Sequence, residues 1–407
     1  MTEKAGGTKP LIFIFITVMI DTIGLGIIIP VLPQLITGLT TNTISIAAQY
    51  GGALMVVYAL THFFFAPVLG NLSDAFGRRP VLLMSLFALG VDYLMMGFAP
   101  TIFWLFVGRF IAGAAGATFS VANAYIADTS APEDRAKNFG LIGAAFGIGF
   151  VLGPALGGML VDFGPRAPFF VAAALAFANM TYGYLILPET LAKENRRPFQ
   201  LKRANPLGSL IQMNKFPMVV GLIFAILFYQ VAHDSNPSVW SFYTIEKFAW
   251  TPRDIGWSLA LVGVCLALVE GVLIRFVVPR LGEKRSVYFG YIAGAIGFAG
   301  FALADTGTAM LLWILPWSLM GIAGPSLRAI IANQVPSNSQ GELSGAIASM
   351  ISLTAILSPI LMTQTFGYFA KKGTSVYFPG APFLLAAFLT VIALVIVLRV
   401  IGRNRSS

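Results

Sequence analysis

The sequence predicts an all-α polytopic membrane protein with twelve transmembrane helices in two six-helix bundles. Three observations predict this fold class: a very apolar composition, twelve apolar stretches of membrane-spanning length, and one long polar interval near the middle of the chain. Hydrophobic residues make up 57% of the 407 residues, charged residues make up 11%, and the mean hydropathy is +0.81. Soluble globular chains are far less apolar, so we expect this chain to lie in a lipid bilayer.

The apolar stretches have the length that a membrane helix needs, since roughly 20 residues cross a bilayer core about 30 Å thick. They lie at about 11–36, 50–70, 81–100, 102–124, 139–162, 166–188, 216–242, 254–275, 287–304, 308–331, 342–366 and 381–400. We expect the first stretch to be retained as a span, because it is too long for the apolar region of a signal peptide and lacks a small-residue cleavage site.

The polar interval divides the chain between the sixth and the seventh span. Residues 189–215 carry six basic residues together with Pro198 and Pro206. The sequence therefore predicts an N-terminal bundle over 1–188, a cytoplasmic linker over 189–215 and a C-terminal bundle over 216–407.

An internal repeat supports this division. A shift of 205 residues aligns glycines and prolines of the two halves, namely Gly77 with Gly282, Gly116 with Gly321, Gly140 with Gly345, and Pro154 with Pro359. Two copies of a six-span unit are the expected origin of such a pattern.

The distribution of Lys and Arg predicts the orientation, because positive charge accumulates on the cytoplasmic side. With the N-terminus inside, the inner segments hold 19 of these residues and the outer loops hold five, Arg166, Lys247, Arg253, Lys371 and Lys372. Both termini are therefore expected to be cytoplasmic, and a bacterial inner membrane is the expected location. The net charge of +9 then reports on topology and not on nucleic acid binding.

The single cysteine, Cys265, lies within a span. One cysteine excludes an intramolecular disulfide and a cysteine-based metal site, so we expect no metal.

A dense polar turn between the second and third spans is the most informative motif. Residues 70–80 read G-N-L-S-D-A-F-G-R-R-P. This order resembles the signature loop between the second and third helices of the major facilitator superfamily. The resemblance implies a gating contact at the cytoplasmic face, made by Gly70, Asp74, Gly77, Arg78 and Arg79, with Asp128 as a partner for the two arginines.

A glycine-rich segment of the fifth span gives a second resemblance. Residues 147–158 read G-I-G-F-V-L-G-P-A-L-G-G, which resembles the motif of the drug:proton antiporters in that superfamily. The resemblance implies a gate at this helix, built on Gly149, Gly153, Pro154 and Gly157. The alternative is close packing alone, because glycines at four-residue spacing let helix backbones approach.

Four acids lie inside spans, and they are the candidate carriers of protons: Asp21, Asp92, Asp234 and Glu270. A carboxylate inside a membrane is costly in its charged form and is therefore suited to bind and release a proton. The alternative is a structural hydrogen bond or ion pair between helices. Arg109, before a run of small residues in the fourth span, resembles a family motif for proton coupling, and its alternative is an arginine that snorkels to the interface.

The surroundings of two acids are similar to those in the tetracycline efflux proteins. Asp21 begins D-T-I-G-L-G and Asp92 stands in V-D-Y. The resemblance covers most of the chain, most densely its N-terminal half. It fails where those exporters carry a proton-coupling His and Asp, because Leu266 and Gly294 align there. Glu270 lies one helical turn after Leu266 and is the candidate replacement.

Polar residues in spans are candidates for the substrate cavity: His62, Gln230, His233, Asn236 and Arg328. His62 takes the place of a glutamine that the resemblance implies touches substrate, and proton relay is its alternative. The polar residues of the seventh span predict a wet cavity or an unwound helix. Arg328 either faces a cavity, where it would favour an anionic or zwitterionic ligand, or snorkels at the cytoplasmic rim.

These features predict a secondary transporter and not an enzyme. An ATP-binding G-x-x-x-x-G-K-[ST] loop is absent from the sequence, so an ion or substrate gradient must supply the energy. We expect a monomeric, proton-coupled exporter of a drug-like small molecule that works by alternating access, with no cofactor and no nucleic acid partner. Metabolite uptake on the same fold is the first alternative, and a channel or a non-transporting receptor is the second.

Overall fold

The computed structural model describes residues 8–131, 134–199, 216–336, 339–373 and 376–403. This part of the chain forms sixteen α-helices and no strand. The helices are α1 (Thr8–Ile28), α2 (Leu32–Thr40), α3 (Ile44–Phe76), α4 (Arg78–Phe98), α5 (Ile102–Ala115), α6 (Thr118–Thr129), α7 (Arg135–Leu160), α8 (Ala167–Ile186), α9 (Pro217–His233), α10 (Ser235–Phe248), α11 (Pro252–Leu268), α12 (Ile274–Leu303), α13 (Gly307–Ser318), α14 (Ala323–Ala332), α15 (Gln340–Phe369) and α16 (Ala381–Arg403).

Eleven helical stretches among the described residues are long and apolar enough to cross a membrane. One of them, Pro252–Leu303, has 52 residues and covers both the eighth and the ninth predicted span. The chain turns inside this stretch at Gly282, whose φ of 76° and ψ of 161° are not helical. The all-α fold class is thus confirmed, and the helices agree with twelve spans.

Four spans have an irregular backbone near the middle, where the bilayer offers no water to replace a lost hydrogen bond. The fourth span breaks between α5 and α6, the seventh breaks between α9 and α10, the eighth contains a π turn at Val269–Leu273, and the tenth contains a 3₁₀ turn at Leu319–Ile322. Such backbone is tolerated at membrane depth only where it is buried in protein or lines a wet cavity. The predicted polar site residues lie close to these breaks.

The chain forms two compact units. The first unit comprises Met1–Thr41, Val57–Asn205 and Thr251–Ala260, and the second comprises Asn42–Val56, Pro206–Trp250 and Leu261–Ser407. The bundle boundaries drawn from the sequence stay a prediction. Of the predicted linker, residues 200–215 lie outside the described residues.

Each unit has its own apolar core. In unit 1, α1 packs against α7 and α8, and α4 packs against α5 and α8, around buried side chains such as Phe13, Leu82 and Tyr125. In unit 2, α16 packs against α9 and α12, around buried side chains such as Val219 and Ile331.

Candidate functional site

The polar turn after the second span is organised around one guanidinium group in unit 1. Arg78 Nη1 donates to Asp74 Oδ1 at 2.5 Å and to Ser73 Oγ at 2.7 Å, and its Nε donates to Asp128 Oδ2 at 3.0 Å. Arg78 is 9% exposed, so both ion pairs are partly protected from water. We call Ser73, Asp74, Arg78 and Asp128 the Arg78 network.

Glu189 completes this turn, although the sequence analysis placed it only at the start of the linker. Its carboxylate accepts hydrogen bonds from the backbone N–H of Arg78 at 2.9 Å and of Arg79 at 3.2 Å. It therefore caps the first turn of α4, where backbone donors have no helical partner and negative charge is favoured. The sequence signal that could have identified Glu189 is its place directly after Pro188, at the inner end of the sixth span.

Gly77 is required at the bend between α3 and α4. Its φ is 111°, a conformation that other residues rarely adopt. A side chain there would also collide with the Glu189 carboxylate. The predicted role of Gly77 in the turn thus has a steric basis.

Two residues of the predicted gating loop lie away from the Arg78 network. Arg79 Nη2 donates to the backbone oxygen of Tyr184 at 2.5 Å, and its guanidinium lies 5.5 Å from the centre of the Tyr184 ring. Gly70 lies inside α3 with open space beside it. The structure therefore brings Asp128 to Arg78 and places Arg79 on Tyr184.

Asp92 and Arg109 form a buried ion pair in unit 1. Arg109 Nη2 contacts Asp92 Oδ2, and Arg109 Nε donates to Asp92 Oδ1 at 3.3 Å. The Asp92 side chain is fully buried and that of Arg109 is 14% exposed. The Tyr58 ring lies 5.7 Å from the guanidinium. Arg109 is thus held by a carboxylate and an aromatic face instead of reaching to the interface.

Asp21 lies near this pair but is held differently. Asp21 is 6% exposed, and its Oδ1 has no hydrogen-bond partner. The carboxylate borders a cavity of about 50 Å³ that is also lined by Tyr58, His62, Ser85 and Thr118. We call this space the Asp21 cavity. A buried carboxylate oxygen without a donor is costly as an anion, and it is suited to carry a proton.

The glycines of the fifth span bring α7 against α1 in unit 1. A side-chain carbon at Gly153 would lie 2.7 Å from the Ile23 oxygen and 2.8 Å from Gly26 Cα. At Gly149 it would lie 2.7 Å from Thr22 Cβ. Gly157 faces the backbone of Ile27 in the same way.

This contact agrees with the packing interpretation of the motif. Pro154 lies within α7 beside Gly26, where a side-chain carbon on the glycine would be 2.8 Å from the proline ring. A gating role for these residues stays a prediction.

The break in the seventh span assembles a polar group in unit 2. Asp234 lies between α9 and α10 and accepts from Gln230 Nε2 at 2.8 Å and from Ser358 Oγ at 3.3 Å. His233 stacks on Trp317 with ring centres 5.8 Å apart. Its Nδ1 lies 3.7 Å from Asp234 Oδ1, too far for a hydrogen bond, and has no partner.

Glu270 and Arg328 contribute charges to the same unit. Glu270 lies in the π turn of the eighth span, is exposed, and interacts electrostatically with His233 and Arg328. Arg328 lies in α14 and is also exposed. We call Gln230, His233, Asp234, Glu270 and Arg328 the unit 2 cluster.

Asn236, in the first turn of α10, is 5% exposed, and its Nδ2 has no partner. Sequence reasoning missed Ser358 and Trp317 in this region, because nothing in their own segments links them to Asp234 or His233. The π turn was also missed, since no proline or polar run marks it.

The position at which tetracycline exporters carry a ninth-span Asp has no room for a side chain here. A side-chain carbon at Gly294 would lie 2.6 Å from Met320 Sδ. Glu270 instead borders the tenth span, because a side-chain carbon at Gly321 would lie 3.1 Å from Glu270 Oε1. The departure seen in the sequence is therefore built into the packing of unit 2.

Among the described residues, no group of three or more His, Cys, Asp or Glu side chains is placed to hold a metal ion.

Comparison with known proteins agrees with this architecture. The profile of the Major Facilitator Superfamily matches residues 14–359. The chain is 38% identical over 356 residues to the tetracycline resistance protein, class C, of Escherichia coli, covering 88% of this chain and 89% of that protein. It is 27% identical to multidrug resistance protein 2 of Bacillus subtilis, covering 96% of both chains.

The solved structure of the nucleoside transporter NupG superposes with a TM-score of 0.78 and 15% identity, covering 97% of this chain and 99% of that chain, which supports the fold. Membrane-spanning helices with charged side chains inside the spans, together with these matches, identify a transporter. The chain belongs to the Major Facilitator Superfamily and, within it, to the group of the tetracycline resistance proteins. It is a multi-pass secondary transporter and not an enzyme.

Proposed function

We propose that the protein is a proton-coupled exporter of a drug-like small molecule, of the tetracycline or multidrug type, that works by alternating access. The observation that carries this proposal is Asp21, a carboxylate that is 6% exposed and has an oxygen without a donor. The nearby Asp92 carboxylate is neutralised by Arg109. An unpaired buried acid beside a paired one is suited to exchange a proton while its surroundings stay intact.

Glu270 is the second proposed proton-coupling carboxylate. It is exposed within a span, where a charge needs water or a partner, and it interacts electrostatically with His233 and Arg328. A change in its protonation would therefore alter the charge of the unit 2 cluster. Asp234 contributes by keeping Gln230 and the break of the seventh span in place.

The substrate contacts that we propose are Gln230, His233, Asn236 and Arg328. Arg328 is exposed inside a span, and Gln230 and His233 are partly exposed, so these groups need water or a ligand. Asn236 is buried, and its Nδ2 has no partner. The His233 ring, stacked on Tyr229 and Trp317, adds an aromatic surface for a planar molecule. An exposed Arg328 favours a substrate that carries a negative group.

The Arg78 network supports a gating role at the cytoplasmic face, since one guanidinium joins the ends of α3, α4 and α6. The contact of α7 with α1 supports a second moving element, because glycine surfaces can slide with little change in side-chain packing. Both proposals require that these contacts change during transport.

We further propose that the protein is monomeric, lies in a bacterial inner membrane with both termini cytoplasmic, and takes its energy from the proton gradient without a cofactor. The excess of Lys and Arg in the inner segments supports this orientation.

A second candidate is the same antiport with another substrate, anionic or zwitterionic. The contact of Gly294 with Met320 favours it, because this packing leaves no room for the acid of the tetracycline exporters. The exposed Arg328 favours it as well.

The test is accumulation of a magnesium–tetracycline complex in everted, energised membrane vesicles, with and without an agent that collapses the proton gradient. We expect gradient-dependent accumulation that is lost in Asp21→Asn. Failure of the folded parent to accumulate the complex would rule out tetracycline. A proton current elicited by an anionic compound from a ligand screen would then support the second candidate, and no current with any compound would contradict proton-coupled export.

A further inference from the structure

We infer that Asp21 and His62 form one proton-binding pair, connected by water in the Asp21 cavity. This inference rests on the proposed proton coupling and deepens it, because it adds a second, chain-specific group to the coupling carboxylate. It also assigns the cavity to water and protons and not to the transported molecule.

The size of the cavity limits the kind of molecule that it can hold. A volume of about 50 Å³ holds a few water molecules. Pockets for drug-sized ligands are roughly 300–1,000 Å³. This size favours proton exchange at His62 over the substrate contact predicted from the sequence.

Asp21 and His62 border the cavity from different helices. Asp21 of α1 offers a buried oxygen without a donor, and His62 of α3 offers an imidazole. In the proposed pair, water in this small space connects the two side chains. Imidazole is the side chain best suited to receive a proton from such a chain near neutral pH.

The break in the fourth span shapes the same space. α5 ends at Ala115 and α6 begins at Thr118, which lines the cavity. The Ala117 N–H donates to Ser85 Oγ at 3.2 Å, and a side-chain carbon at Gly116 would lie 3.2 Å from the His62 ring. Thr118, at the start of α6, makes a side-chain hydrogen bond with Asp21, which favours the Asp21 anion after the proton leaves.

The other titratable groups near the pair are Tyr58, Tyr93 and Arg109. The His62 ring stacks on Tyr58 at 5.9 Å with an angle of 13° between the planes. Tyr58 and Tyr93 interact electrostatically with Asp21. Arg109 lies over Tyr58 but is neutralised by Asp92. Asp21 and His62 are therefore the two groups at the cavity whose charges are not already balanced.

The transfer conserves charge and atoms. The Asp21 carboxyl gives its proton to a cavity water, and that water passes one of its own protons to a ring nitrogen of His62. The water is regenerated, Asp21 becomes an anion and His62 becomes a cation. The pair keeps one proton until a change in the surroundings releases it.

The test uses the fact that the chain has only two histidines, His62 and His233. In a His233→Gln background, protein labelled with ¹⁵N-histidine and reconstituted in lipid vesicles gives imidazole signals from His62 alone. Solid-state NMR then follows their charge with pH. We expect Asp21→Asn to change the proton affinity of His62 about tenfold, as removal of a neighbouring charge does. The matched Asp234→Asn variant should leave it unchanged.

A reciprocal measurement keeps the inference testable if one variant folds poorly. Infrared spectroscopy follows the protonated Asp21 carboxyl with pH, assigned by its loss in Asp21→Asn, in the parent and in His62→Gln. Coupling between two sites is reciprocal, so both changes must agree in size. Independent titrations, or an equal effect of Asp234→Asn, would overturn the pair. Neither measurement involves transport, so a coupled pair in a protein without proton-driven transport would refute only the proposed function.

Discussion

The two units differ in how far they bury the charged side chains inside their spans. In unit 1, Asp92 is fully buried against Arg109, and Asp21 is 6% exposed. In unit 2, the Asp234 side chain is 19% exposed and that of His233 is 35% exposed, while Glu270 and Arg328 are more open still. Unit 1 thus shields its charges, and unit 2 presents them.

The internal repeat relates the polar turns at Gly77 and Gly282. The first turn is more enclosed than the second, as the charges of unit 1 are more buried than those of unit 2. The turn at Gly77 is closed by the Arg78 network and by Glu189. In the turn at Gly282, nothing lies near a side-chain carbon added to the glycine, and Lys284 and Arg285 are exposed. Among the described residues, the charges of the turn at Gly77 form a network, and those of the turn at Gly282 form no ion pair.

The largest effect is expected from breaking the buried ion pair between Asp92 and Arg109. Asp92→Ala should lower the free energy of unfolding by about 3–5 kcal/mol, because Arg109 is left as a buried charge without a partner. The exposed Glu270→Ala is the matched control, and it should change stability by no more than about 0.5 kcal/mol. Thermal unfolding in detergent measures both. Equal losses in the two variants would remove the contrast between the units.

The second prediction concerns the two turns. Asp74→Asn should slow transport about tenfold, which corresponds to roughly 1.4 kcal/mol of an activation or conformational free energy. Folding should change little, because the Asp74 side chain is 40% exposed. Glu283→Gln, in the turn at Gly282, serves as the control and should transport like the parent. Normal transport by Asp74→Asn would refute gating by the Arg78 network.

The third prediction sharpens the role of the exposed cation in unit 2. Arg328→Gln should weaken binding of an anionic substrate about fivefold, because an exposed ion pair contributes about 1 kcal/mol or less. Arg328→Lys should recover part of the loss. Equilibrium binding to the purified transporter tests this. An unchanged affinity in Arg328→Gln would show that this cation does not contact substrate.

The smallest expected effect lies at Glu246, a shielded carboxylate of unit 2 outside the cluster. Tyr377 Oη donates to Glu246 Oε1 at 2.7 Å, and the Glu246 side chain is 8% exposed. Burial and this hydrogen bond raise the pKa of Tyr377 to about 12, from 10.0.

Because the folded-state pKa of Tyr377 is raised, its stabilising effect is complete below pH 10 and is lost as the pH rises through about 12. Tyr377→Phe should remove this alkaline loss of stability and change little at neutral pH. Unfolding curves between these pH values measure the difference. An identical alkaline profile in parent and variant would contradict the contact.

Sequence reasoning predicted the features that depend on hydropathy or on backbone conformation. The spans followed from the length of the apolar stretches, and Gly77 from the polar turn that its φ of 111° permits. Arg109, a charge inside a span, was a candidate for proton coupling, and it contacts Asp92. These features are local in the chain or follow from the cost of a charge in lipid.

Features that depend on the fold of distant segments could not be predicted. Arg78 contacts Asp128, whereas Arg79 contacts Tyr184, 105 residues away in the chain. Glu189 is 111 residues from the turn that it caps, and Ser358 is 124 residues from Asp234. Only the packing of whole helices brings such pairs together.

The most direct test of the account is proton release from the purified transporter on addition of a preformed magnesium–tetracycline complex, followed with a pH indicator in weak buffer. We predict release by the parent and none by Asp21→Asn, although the variant still binds the complex through unit 2. Equal release by parent and variant, with binding confirmed in both, would show that the coupling proton is not held in unit 1 and would contradict the division of roles between the units.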